Sequence, residues 1–368
     1  MMGEIQERDW LYALLLVAGL GRKRIRVLYD VYGSVSEAVK NWEGADAFLK
    51  LPVKVSQAVR EHIKEEKVLS LLQARGKGNV QYLCFLDQDF PEQLRHIPDS
   101  PLALFCKGDT SLLHQPSIGV VGSRRPTPYG KACCSTLVKE LSEQGLVIVS
   151  GLAYGIDGEA HLATLQSAGK TIGVLGCGID QIYPSRHREL YRKIESFGLL
   201  ISEYPPGTPP LPGLFPERNR IISGLCLGIL VVEGAEKSGS LVTADCALEQ
   251  GRDVFAVPGS IFSLVSAGPH NLIKQGAKLV TSSADVLEEW SHIFSPLQST
   301  NRQQEGAIPP LDEHEKAVLR FLSYDGTHVD ELISQLTPEA KQKVHRSLLQ
   351  LETKGKIVSL PGGFFARR

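Results

Sequence analysis

The residues with chemical potential fall at one kind of position, just after a short apolar run. Ile118–Val121 leads into Gly122, Ser123, Arg124 and Arg125, and Val147–Val149 leads into Ser150 and Gly151 of SGLAYGID. Thr171–Leu175 precedes GCGIDQIYP. Leu199–Ile201 precedes SEYPP and then LFPERNRIISG, which carries Phe215, Arg218, Asn219 and Arg220. Gly228–Val232 opens onto EGAEKSGSLVTAD, with Lys237, Ser238, Gly239 and Ser240, and Val254–Val257 ends in PGS. Glycine and serine let backbone amides come close to an anion, and Ser240 and Thr243 begin a helix whose positive end would face it. Arg124, Arg218, Arg220 and Lys237 supply full charges, and Phe215 supplies an aromatic face. Amides, cations and an aromatic ring together suit a phosphodiester backbone with unpaired bases to stack. A single glycine loop does no more than turn the chain; six such loops, most of them glycine-rich and several cationic, point to one ligand-binding rim.

Such a rim needs a sheet to hold it. The apolar runs, with Lys278–Val280 as the last, are continuous rather than alternating, and helical segments separate them. Strands of this kind are covered on both faces, so the expected fold is α/β: a doubly wound, parallel, Rossmann-like sheet whose ligand lies beyond the carboxyl ends of the strands. The first strand and its glycine turn begin as a dinucleotide-binding fold does. Yet the later glycines of G-x-G-x-x-G are replaced by arginine and proline, which argues for a different anion.

Four regions follow from the patterning. Residues 1–78 are helical, and GLGRKRIRVLYDVYG and LPVKVSQAVREHI within them have related forms. They resemble a helix-hairpin-helix/SAM-like pair that would hold a nucleic-acid phosphate, or else form a helical bundle with solvated lysines. Residues 79–292 form the Rossmann-like DNA-binding domain, and residues 293–310, polar and aperiodic, a linker. Residues 311–368 have three short helices and a glycine-tipped hairpin, the outline of a winged helix that would dock either protein or DNA.

Composition excludes several classes. The 368 residues carry 40 Lys+Arg against 41 Asp+Glu, so a polyanion would have to bind a local patch. Seven scattered cysteines without C-x-x-C read as a reduced cytoplasmic chain without structural zinc. The run Leu11–Ala18 is too short to cross a bilayer. No metal site is expected, with His161, His187 and His292 read as structural. A nucleotide-hydrolysing enzyme related to phosphoribohydrolases is the alternative function. Its catalytic glutamate would fall on or beside Val242 and Thr243, which cannot act as acid or base near neutral pH. A dehydrogenase would need an acidic residue where Ser150 ends the second strand. Asp157, Asp180, Glu203, Glu233 and Asp245 line the rim and are read mostly as helix caps and arginine partners.

The segments GSRRPTPYG, SGLAYGIDGEAH, GVLGCGIDQIYP, FPERNRIISGL, EKSGSLVTADCALEQGRDVFAVPG and GPHNLIKQGAKLV resemble, in order and spacing, the DNA processing protein A family (DprA, also called Smf) over roughly Gln81 to Trp290. Tyr154 departs from the small residue usual in that motif. The resemblance implies a cytoplasmic, non-enzymatic protein without a cofactor. It would bind single-stranded DNA, protect incoming strands in natural transformation and help load the recombinase RecA. It also implies a homodimer through the Rossmann-like domain, with Leu272, Ile273 and Leu279 available to a partner. The Gly122-Ser123-Arg124 loop would hold a DNA phosphate, with Ser150, Gly151, Phe215, Arg218, Asn219, Arg220 and Lys237–Ser240 completing the path.

Overall fold

Each of the seven apolar runs becomes a strand, and an antiparallel pair precedes them. The computed structural model describes residues 5–76, 79–291, 293, 311–324, 326–360 and 362–367; the linker read from the sequence lies almost wholly outside them. Six helices come first: α1 (Glu7–Leu15), α2 (Arg22–Tyr32), α3 (Val35–Lys40), α4 (Trp42–Leu49), α5 (Val53–His62) and α6 (Glu65–Gly76). Then follow β1 (Gln81–Cys84), α7 (Glu92–Arg95), β2 (Ala103–Gly108), β3 (Ser117–Val121), α8 (Pro128–Glu143), β4 (Val147–Ser150), α9 (Ile156–Gln166), β5 (Thr171–Leu175), α10 (Arg188–Phe197) and β6 (Leu199–Ser202). The sheet region continues with α11 (Leu214–Leu225), β7 (Gly228–Val231), α12 (Gly239–Glu249), β8 (Asp253–Ala256), α13 (Ala267–Lys274), β9 (Lys278–Leu279) and α14 (Ser283–Glu289).

These strands form one nine-stranded sheet in the order β1-β2-β6-β5-β4-β3-β7-β8-β9. From β6 to β9 every pair is parallel, while β1 and β2 pair antiparallel and join the sheet through Phe105 opposite Ser202. Successive residues of a strand point to opposite faces. Thus Ile118, Val120 and Ile148 pack under α8, α9 and α14, whereas Val121, Val147 and Val149 pack under α11, α12 and α13. The chain reverses its winding direction between β3 and β7, and the crevice above their carboxyl ends is where this architecture receives ligands.

The first six helices share a core with the β1 end of the sheet, where Leu11, Tyr12, Leu28 and Trp42 meet Tyr82, Phe105 and Leu190. Tyr12 stands edge-on to Tyr82 at 5.1 Å, and the Arg75 guanidinium lies 4.9 Å and 5.3 Å from the two rings. Arg22 opens α2 just after Gly21, in the segment that resembles a helix-hairpin-helix unit. It bonds Asp99 at 2.7 Å and Glu217 at 2.6 Å, with Glu203 at 3.6 Å, and so ties α2 to the sheet region.

The C-terminal elements are α15 (Glu313–Phe321), β10 (Thr327–His328), α16 (Val329–Gln335), α17 (Pro338–Thr353), β11 (Ile357–Leu360) and β12 (Phe364–Arg367). Their three-stranded sheet has the order β10-β12-β11 and closes on Val318, Leu332, Leu348, Leu351 and Ile357, as a winged helix does. Tyr324 of this unit meets Tyr129 of α8 with ring centroids 6.2 Å apart.

Candidate nucleic-acid interface

The loop after β3 is an open, cationic element of the crevice. Arg124 and Arg125 are exposed, and neither side chain makes an ion pair or hydrogen bond among the described residues. The amides of Gly122, Ser123 and Arg124 are equally unengaged, while Ser123 Oγ accepts from the Arg125 amide at 3.1 Å. Two neighbours fix the shape of the loop. The Ile156 amide donates to the Ser123 carbonyl at 3.1 Å. Gly155, at φ +81°, lets α9 start so close that a Cβ there would lie 2.1 Å from that same carbonyl oxygen. Glycine is therefore required at position 155 by both conformation and space.

The helix behind the loop does not offer its positive end to a ligand. α8 begins at Pro128, with Thr127 as N-cap. The Thr127 amide donates to Glu233 Oε2 at 2.9 Å and its hydroxyl to Oε1 at 2.5 Å. Gly130 leaves room for that carboxylate, since a Cβ there would sit 2.3 Å from its carbon. An internal anion thus occupies the site that the macrodipole favours for negative charge. The sequence signal for this cap was Thr127-Pro128, a helix start displaced from the glycine turn.

On the other side of the crevice, Lys237 is exposed and makes no ion pair among the described residues. Ser238 caps α12, accepting from the Ser240 amide at 3.2 Å. Gly239 is exposed, and its carbonyl accepts from Asn219 Nδ2 at 3.4 Å, which links α12 to α11. Phe215 lies half-buried over Gly176 at the end of β5, its ring 5.2 Å from that of the exposed Tyr183. Tyr154 is also exposed and stands edge-on to His187 at 5.2 Å. Both lie in loops that the sequence places on the rim, but neither was among the residues expected to contact DNA.

Arg218 and Arg220 depart from the expectation of free rim cations. Arg218 is 4% exposed, and its Nη1 donates to the carbonyl of Gly151 at 2.8 Å and to that of Val174. Beside it, Asp157 accepts from the Gly151 amide at 3.1 Å; burial pushes this carboxyl up while the Arg218 charge pulls it down. Arg220 forks onto Glu203 at 2.8 and 2.6 Å and reaches Asp99 at 3.1 Å. Both guanidiniums are below the rim, where they brace its floor. Ser150 and Gly151 are buried with them, the Ser150 hydroxyl donating to Val120 O at 2.6 Å. His161 is buried against Thr171 Oγ1 at 2.7 Å, and burial lowers it to about 3. Among the described residues no group of three or more His, Cys, Asp or Glu could hold a metal ion.

A family profile described as DNA recombination-mediator protein A matches residues 81–291, and one described as DprA winged helix domain matches residues 302–363. Protein Smf of Escherichia coli (strain K12) is 42% identical over 369 residues, which cover 94% of this chain and 95% of that protein. The chain belongs to the DNA recombination-mediator protein A family. DNA processing protein DprA of Bacillus subtilis (strain 168) is 45% identical over 261 residues, covering 67% of this chain and 88% of that one. The X-ray structure of the Streptococcus pneumoniae family member superposes with a TM-score of 0.63 at 38% identity, covering 76% of this chain and 97% of that chain. The Helicobacter pylori member, solved for its single-stranded DNA binding mode, has a TM-score of 0.53 at 32% identity over 58% of this chain and 97% of its own. The family match spans the sheet and its rim.

Proposed function

We propose that this protein is a single-stranded DNA-binding recombination mediator that covers incoming strands and helps load RecA during natural transformation. It works in the cytoplasm as a homodimer, without a cofactor and without catalysing a reaction on its ligand. The carrying observation is the pairing state of the rim charges. Arg124 and Lys237 are exposed and free of internal ion pairs on either side of the crevice, while Arg218, Arg220 and Glu233 are engaged within the fold. Singly charged contacts with unengaged amides of Gly122 and Ser123 suit successive phosphates of a strand, and Phe215 with Tyr183 suits an unpaired base. The start of α12 carries Val242 and Thr243, so no carboxylate stands there for nucleotide hydrolysis. Among the described residues no helix is long and apolar enough to cross a membrane.

The dimer would form through the β9 edge. Leu279 is exposed there, whereas Leu272 packs into the core and Ile273 lies against it, which narrows the proposed contact to the edge strand. Fluorescence anisotropy with labelled oligothymidine and with a blunt duplex of equal length tests the binding reading. Tighter binding of the single strand is expected, and equal affinity would remove the stacking contribution. A strand-exchange reaction with RecA, run with and without this protein, tests the loading step.

A further inference from the structure

The three most exposed large apolar side chains among the described residues are neighbours. Ile261 is 80% exposed, Phe262 90% and Leu264 84%. They project from the loop between β8 and α13, on the same carboxyl rim as Arg124 and Lys237. Isolated apolar residues at a surface need no explanation, but three on one loop do.

The loop is not a loose excursion. The Gly234 amide donates to the Val265 carbonyl at 2.7 Å, and the Gly268 amide donates back to the Gly234 carbonyl at 2.8 Å. A Cβ on Gly268 would lie 2.5 Å from the Gly234 oxygen, so the two loops meet at backbone contact. On its other flank, Tyr129 Oη donates to Pro258 O at 2.7 Å, and within the loop the Ser263 amide donates to Ser260 O at 3.1 Å. Gly234 is three residues before Lys237. A free cation and an apolar knob are therefore carried on two loops locked to each other.

Resting on the function proposed above, we infer that Ile261, Phe262 and Leu264 form a second base-stacking station, with Phe262 as its principal face. A single strand carries anionic links between apolar rings, and the rim sets two aromatic faces, Phe215 and Phe262, on either side of the cations Arg124 and Lys237. Phe215 sits over the end of β5, four strand intervals from β8. At about 4.8 Å per interval the two stations are roughly 19 Å apart. That span is at most about six nucleotides at the ~3.4 Å spacing of a stacked strand. Stacking on both rings would hold the intervening phosphates against the cations between them, and it reads no base identity.

The experiment uses the full chain with Phe262→Ala and Phe262→Trp, and a long oligothymidine as probe. At 90% exposure the ring contributes little to the fold, so both variants keep the wild-type unfolding transition. Phe262→Ala should weaken binding about 5-fold or more. It should leave the slope of log affinity against log salt unchanged, because an uncharged contact releases no counterion. Phe262→Trp should restore affinity, and its fluorescence should be quenched as the strand is added. Wild-type affinity in the alanine variant, with no quenching in the tryptophan variant, would overturn the second station and leave the function standing. Conversion of a dimer to a monomer by Phe262→Ala with unchanged affinity per protomer would also overturn it, because the knob would then be a contact between copies. If the unaltered protein fails to bind oligothymidine, the function reading falls and this inference with it.

Discussion

Replacing Arg124 with alanine separates a DNA-binding rim from a merely braced loop. The side chain is exposed and has no ion pair or hydrogen bond among the described residues, so its removal breaks no internal contact. Stability should stay within about 0.5 kcal/mol of wild type. Binding should respond differently. Each phosphate contact to a single strand contributes about 0.7 to the slope of log affinity against log salt. Over a fourfold rise in salt, one lost contact makes the variant fall about 2.6-fold less than wild type, and about 7-fold less if one strand crosses both rims of a dimer. Anisotropy titrations with oligothymidine at several salt concentrations, beside a thermal unfolding curve, give both quantities. A variant that unfolds earlier yet keeps the wild-type affinity and slope would refute the reasoning, because Arg124 would then be a structural brace.

Arg218→Ala should show the opposite pattern. It leaves the buried carbonyls of Gly151 and Val174 without their donor, so it should cost about 1–3 kcal/mol for each, visible as a lower denaturant midpoint before any change in salt slope. Gly155→Ala should weaken oligothymidine binding by displacing the Ser123 carbonyl that its Cβ would strike; wild-type affinity in a titration would remove that carbonyl from the loop's support. His161 binds no proton in the fold until about pH 3, held down by burial and by the nearby charges of His187 and Arg218. The unfolded chain takes that proton near pH 6.5, so stability falls with pH below that value by about 1.4 kcal/mol per unit. Denaturant midpoints should therefore drop less between pH 7.5 and 5 in His161→Gln, by about 2 kcal/mol. Leu279→Asp should shift light scattering from dimer to monomer, and a variant that stays dimeric would remove the β9 edge from the contact.

The parallel sheet was legible because buried strands are written as unbroken apolar runs, and the glycine-rich and cationic loops that follow them share its carboxyl edge. β2 has similar apolar character, but its antiparallel pairing with β6 depends on distant residues, and no strand–helix alternation flags it. The conformational role of Gly155 was hidden for the same reason, since it is defined by what approaches it through space; Glu233 was read among the helix-capping carboxylates, but not which helix it caps. The arginines of FPERNR show the limit most clearly. Residue type announces a cation but not its depth, and the burial of Arg218 and Arg220 depends on carbonyls of β5 and the turn after β4 and on the carboxylate just after β6. Arg124 and Lys237 carry the same formal charge and remain at the surface.

The carboxylate of Glu233 at the start of α8 has a consequence for competition. A protein that must find a strand of DNA in a cell works among free mononucleotides, whose terminal phosphates seek a deep pocket closed by a helix end. Here that pocket already holds the protein's own anion, and what remains are shallow, singly charged footholds. One nucleotide gains little from any of them. A strand gains from all of them together, because once its first link is held the others are delivered by connectivity. If a strand follows this rim as proposed, the fold would discriminate by length of ligand, because the helix end that would hold a lone phosphate is capped by its own carboxylate.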